Sequence, residues 1–186
     1  YLPGNGNSGS LFVDDAYNMF YNPSYAYDHK DMAIIEKSNS NGNTAQGGFV
    51  TSIAGFAIGA FFNRVDGVAQ SMTNRANMKP MEFFIAGDHT AKWGVSVIYA
   101  AYTDEITNYT YGLNEPVKTE TDRDITARFG AQYMGFDPYL SIRFKNDDRV
   151  DYNKANSFHN HWGAGTKYTF GEWVFNTGYR LDNSSQ

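Results

Sequence analysis

Eight charged residues recur at alternate positions of short segments: Glu82, Asp124, Arg128, Arg143, Lys145, Lys167, Arg180 and Asp182. Ile125, Ala127 and Phe129 interleave with Asp124, Thr126 and Arg128, and Leu140, Ile142 and Phe144 interleave with Ser141, Arg143 and Lys145. In extended chain this spacing puts the charges on one face and the apolar groups on the other. Such a face can line an aqueous passage and tune its ion preference. Alternatively, the charges pair across a narrow, filled interior. Both readings stand at this point. His159 and His161 share a face as well, but zinc needs three or four ligands and the spacing supplies no third, so no metal site is expected. Residues 146–151 (NDDRVD) read as a solvated loop tip, with divalent-cation binding the sharper alternative. There is no Gly-x-Ser-x-Gly and no Ser/His pairing on one strand face, so no enzyme is expected. With no cysteine in the chain, a thiolate metal site or nucleophile is excluded. No cofactor is expected.

The elements that must hold these residues follow from the pattern. The 186 residues suffice for one domain, and a net charge of -5 gives no basic excess for nucleic acid. A mean hydropathy of -0.53, with no long apolar run, excludes a helical membrane bundle. It leaves room for a barrel, where only every second strand residue meets lipid. Tyr1 reads as the start of a mature or trimmed chain. Strand-like segments cover 31–37, 46–53, 56–63, 81–87, 92–103, 121–133, 137–145, 157–170 and 173–182. Short connections at 54–55, 88–91, 134–136 and 171–172 alternate with long polar ones at 64–80, 104–120 and 146–156. The clearer strands match the roughly 9–11 residues that cross a bilayer at a tilt. Phe49, Phe56, Phe83, Trp93, Tyr133, Tyr139, Phe170 and Trp173 are expected to form an aromatic girdle beside the short turns.

These observations predict an all-β fold: a transmembrane antiparallel up-and-down β-barrel of about 8–10 strands in a bacterial outer membrane, closed by this chain or part of a larger barrel. A soluble lipocalin-type barrel is the rival, with its apolar face turned inward. Gly94, Gly130, Gly163, Gly165 and Gly178 lie on the non-aromatic face, which suits a crowded interior better than a solvated exterior. Nine segments conflict with the even strand number of single-chain bacterial barrels. Either 31–37 is not a barrel strand, or another strand lies within 11–30, or the barrel is larger.

Residues 1–30 are expected to be irregular and 31–186 to be the barrel. Within 11–25, Asp14 or Asp15 would cap a short helix that Asn22-Pro23 stops. The run Asp14-Asp15-Ala16-Tyr17-Asn18-Met19-Phe20-Tyr21-Asn22-Pro23-Ser24 resembles the start of FadL-like outer-membrane transport proteins, with Ser24 where that family has Ala, and the hairpin from Gly47-Gly48-Phe49 to Asn63-Arg64 is similar to theirs. The resemblance implies a lumenal plug containing Asp14, Asp15, Asn22 and Pro23, inside a barrel that passes hydrophobic compounds. The expected function is a passive pore or transport channel for small solutes. Its partners would be membrane lipid, lipopolysaccharide and a small solute or hydrophobic substrate. The alternative is a closed structural or adhesive barrel whose long loops bind outside partners.

Overall fold

The computed structural model describes residues 16–37, 45–64, 80–106, 118–149 and 157–185; for 102–106, 118–123, 145–149, 157–161, 180 and 182–185 it describes the backbone alone. Nine strands form one sheet in chain order. They are β1 (Met32–Lys37), β2 (Ala45–Ile53), β3 (Phe56–Phe62), β4 (Met81–Asp88), β5 (Lys92–Ile106), β6 (Lys118–Gln132), β7 (Phe136–Arg149), β8 (Ser157–Phe170) and β9 (Trp173–Ser185). Each pairs antiparallel with the next.

The tight turns have the backbone that a twisted hairpin needs. Ala54 and Gly55 have φ of 51° and 85°, and Met134 and Gly135 have 50° and 80°. Positive φ at both central positions is the mark of a type I′ turn, whose twist matches that of the strands. Gly171, at 60°, supplies the single positive φ of a II′-like turn.

Strands β5 to β7 and β9 outrun their hydropathy pattern. The β5–β6 ladder continues to Ile106 opposite Lys118, and Asn146 to Arg149 stay paired with β6. The acidic run at 146–149 is therefore strand, not loop tip. Beyond the apolar zone both faces are polar, so side-chain contrast fades while the backbone ladder carries on. The long connections shrink to 107–117 and 150–156, outside the described residues.

Among the described residues, two of the three alternatives for the odd strand count find no support. Residues 32–37 are a full partner of β2, from Met32 opposite Val50 to Lys37 opposite Ala45. No strand lies within 16–30. In place of one helix stopped by Asn22-Pro23 there are two short 3-10 helices, η1 (Ala16–Phe20) and η2 (Pro23–Tyr27). A proline disfavours helical backbone in the residue before it, and Asn22 is extended, with φ -119° and ψ 99°. Its side chain caps η2 by accepting the Ser24 N–H, and Pro23 occupies the first position, where no N–H is needed. Asn22-Pro23 thus starts a turn as well as ending one. Asp14 and Asp15 lie outside the described residues. Among the described residues the strand count stays at nine, and β1 and β9 do not pair with each other.

The helices pack on one face of the sheet, here called inner. Met19, Phe20, Tyr25 and Ala26 meet Val50, Ala57, Phe61, Phe84 and Ala86 there. Phe20, Phe61 and Phe84 stack edge to face, with ring centroids 4.9 to 5.7 Å apart.

Asp31 joins this segment to the sheet. It has a positive φ of 64°, and its carboxylate accepts the Ser52 N–H at 2.9 Å and the Ser52 hydroxyl at 3.0 Å. The Ser52 backbone bond, with smaller help from the Ser52 and Thr51 hydroxyls and from Lys30, holds its carboxyl below the usual 3.8. A depressed folded pKa gives a contribution present above the unfolded value and lost as pH falls through the folded one. The Ser52 amide resonance should therefore titrate with a midpoint below 3.8. Asp31→Asn should abolish that titration, and a midpoint at or above the usual value would contradict the arrangement.

Candidate functional site

One row of the inner face is built from small residues. Following the register, Ser52 lies opposite Ala57, then Ala86, Gly94, Gly130, Tyr139, Gly165 and Gly178. The N-terminal segment lies on Gly94 and Gly130. A Cβ on Gly94 would fall 2.3 Å from the Pro23 carbonyl carbon, and one on Gly130 would fall 1.8 Å from Asn22 Oδ1. Any side chain at either position would displace the segment. Further along the row the Tyr139 hydroxyl covers Gly165 and Gly178. Tyr139 is therefore an inner-face residue rather than part of a girdle. Its parity with Ser141 and Arg143, not its closeness to a turn, decides its face.

Asn22 is attached where the sheet is incomplete. The β6–β7 ladder runs as far as Gly130 opposite Tyr139 and resumes only at the bridge of Tyr133 with Phe136. In the gap stand Ala131 and Pro138, and a proline has no N–H to give the ladder. Asn22 Nδ2 donates instead, to the Ala131 carbonyl at 3.0 Å and the Pro138 carbonyl at 3.3 Å. Its Oδ1 accepts from the Ser24 N–H and hydroxyl, so this buried amide uses both ends. Two further residues extend the attachment. The Tyr25 hydroxyl donates to Asp137 at 2.7 Å and accepts from Lys167 Nζ at 3.2 Å, all three being buried. At the short-turn rim, Asp28 pairs with Lys92 and accepts from Gln132.

Five of the charged residues singled out by spacing, Glu82, Asp124, Arg128, Arg143 and Lys167, fall on this same inner face. Glu82 accepts from Arg128 at 2.8 Å and from the Ser96 hydroxyl at 2.8 Å. Arg143 Nε donates to Asp124 at 2.7 Å, and its Nη2 reaches the same oxygen. All of these groups are buried. Lys167 belongs with Tyr25. Of Lys145, Arg180 and Asp182 only the backbone is described: they stand opposite Asp124, Gly163 and His161. The His159 and His161 side chains are likewise outside the description. Among the described residues no three potential metal ligands cluster.

The outer face is apolar and exposed. Phe56, Trp93, Tyr133, Phe170 and Trp173 are exposed near the short turns, and Ile85, Val97, Ile125, Phe129 and Phe144 continue the face along the strands. Phe49 and Phe83 are exposed too, but they sit in a mid-strand row with Val97. A cleft between η1 and the first strands, lined by Tyr17, Phe20, Ile34, Glu36, Phe61 and Arg64 among others, holds about 10 Å³, room for roughly one water. Arg64 lies 3.5 Å over the Phe20 ring. Spacing missed Tyr25, Asp28, Ser96 and Asp137. Asp137 had a signal, its parity with Arg143. Tyr25 had none, because its partners are 112 and 142 residues away.

Two predictions follow from this geometry. Gly94→Ala or Gly130→Ala should cost about 1–3 kcal/mol by overpacking and expose residues 16–27 to protease. Gly163→Ala, where a Cβ meets nothing nearer than 3.9 Å, should do neither. Arg128→Met alone should destabilise by about 3–5 kcal/mol by stranding Glu82, and adding Glu82→Leu should recover much of that loss. Urea unfolding in detergent measures both.

Comparison with family models, with curated proteins and with solved structures returns no match for this chain, so the FadL resemblance rests on the sequence of residues 14–24 and of the 47–64 hairpin.

Proposed function

We propose that this chain forms the wall and internal plug of a β-barrel in a bacterial outer membrane, where it acts as a passive transport channel for small solutes. The observation that carries this reading is the inversion of the sheet. Phe83, Ile85, Val97 and Phe129 are exposed, while Glu82, Ser96, Arg128 and Asp124 on the same strands are buried. Soluble monomers rarely expose contiguous apolar patches above a few hundred Å². Hydrocarbon makes the same face favourable, at about 1.5–3 kcal/mol for each large side chain kept from water. Membrane lipid and lipopolysaccharide are then the partners of the outer face. The aromatics near the short turns suit the interfacial level.

Transport is supported by the segment held on the inner face, since plugged lumens are a device of outer-membrane transporters. The wall charges compensate one another as Glu82–Arg128 and Asp124–Arg143. A neutralised wall favours uncharged or amphiphilic solutes over a strong choice of ion sign, in keeping with the hydrophobic substrate implied by the FadL resemblance. The same pairing, with a cleft the size of one water, favours a second reading: a closed structural or adhesive barrel acting through its external loops.

Two measurements test the proposal. Trp93, Trp162 and Trp173 should be quenched by brominated lipid, and no quenching would remove the membrane reading. In planar bilayers the assembled barrel should open intermittently, and deleting residues 16–27 should give larger, persistent steps. Silence from both forms would overturn the channel in favour of the structural reading.

A further inference from the structure

The edges of the sheet say what must complete it, given the membrane reading above. β9 offers a 13-residue edge, Trp173–Ser185, while β1 has six residues, Met32–Lys37. In hydrocarbon each unpaired backbone N–H or C=O costs several kcal/mol, so neither edge can stay bare. The two do not match in length. The register carries Met32 across the sheet to Arg180, so the β9 rows from Trp173 to Tyr179 have no counterpart in β1. They do not match in direction either. In a nine-strand meander the first and last strands both run from the short-turn end to the loop end, so joining them would be a parallel junction in an antiparallel sheet. A second copy of the chain meets the same obstacle. Two copies inserted the same way are related by rotation about the membrane normal, which preserves strand direction. Every β1–β9 or β9–β9 contact between them is therefore parallel.

We propose that β9 and β1 are bridged by an odd number of further antiparallel strands from a polypeptide segment outside these nine. The strand beside β9 descends from the loop end to the short-turn end and turns large apolar residues outward, in line with Phe175, Tyr179 and Leu181. Nine plus an odd number restores the even count of bacterial barrels.

The chain has no cysteine, which leaves a clean background for cross-linking. Single cysteines would be placed at Val174 or Ser184, the two ends of β9, and at Ala33 in β1, with the protein in phosphatidylcholine vesicles. The probe is a synthetic peptide of alternating Val and Thr with one terminal cysteine. The expected result has three parts: no β1–β9 disulfide within or between copies, rapid exchange of the alternate β9 amides that point away from β8, and peptide capture in one orientation. In that orientation an N-terminal cysteine joins Ser184→Cys, a C-terminal one joins Val174→Cys, and exchange along β9 slows. Parallel capture, no capture, or stoichiometric β1–β9 cross-links would each overturn the proposal. Brominated-lipid quenching separates the two levels. Quenching with a self-closed sheet sinks this inference alone, whereas no quenching sinks the membrane reading beneath it.

Discussion

Between the backbone of Asn22–Ser24 and the β5–β6 ladder there is room for hydrogen atoms but for no side chain, and the rest of the inner face is arranged around that approach. Gly94 and Gly130 permit it. Once Asn22 is down on Gly130, its amide reaches the carbonyls of Ala131 and Pro138, the first deprived of a ladder donor by the proline opposite it. Buried acceptors without donors cost about 1–3 kcal/mol each, so the gap in the ladder and the asparagine that fills it stabilise each other. From that fixed point η2 carries Tyr25 to Asp137 and Lys167, and η1 lays Phe20 against Phe61 and Phe84.

The same geometry explains why the charges are where they are. The small row accepts the N-terminal segment, and the rows toward the loop end hold the paired charges. There Glu82 and Arg128 meet across β4 to β6, and Asp124 and Arg143 meet between β6 and β7. Buried ions are tolerated only when paired and hydrogen-bonded, and the Ser96 hydroxyl gives Glu82 a further donor. Among the described residues, positive and negative groups one or two strands apart pair off and keep the face polar.

Much of this fold was legible in the sequence because its rules are local. Period-2 alternation places Phe83, Ile85 and Val97 on one face and Glu82 and Ser96 on the other, and Ala54-Gly55 or Met134-Gly135 marks a hairpin within a few residues. What was not legible depends on distance along the chain or on fading contrast. Asn22 looked like a helix stop because its partners, Ala131 and Pro138, lie more than a hundred residues away. Tyr139 looked like a girdle aromatic because closeness to a turn was weighed above parity. The ends of β5, β6 and β7 were read as loops because a strand with two polar faces has no hydropathy signature.

The separation between Asn22 and its carbonyls bears on the order of folding. Each strand pairs with its neighbour in the chain, and closing even the longer connections adds little entropy cost, because that cost grows slowly with loop length. The place where η2 rests does not exist until β5, β6 and β7 have come together. The segment, which precedes these strands in the chain, must therefore wait for them to dock, and in the meantime Tyr25 lacks its partners Asp137 and Lys167. Until then the gap at Ala131 and Pro138 stays without its amide donor. The assembling chain carries a defect that the segment ahead of its first strand repairs.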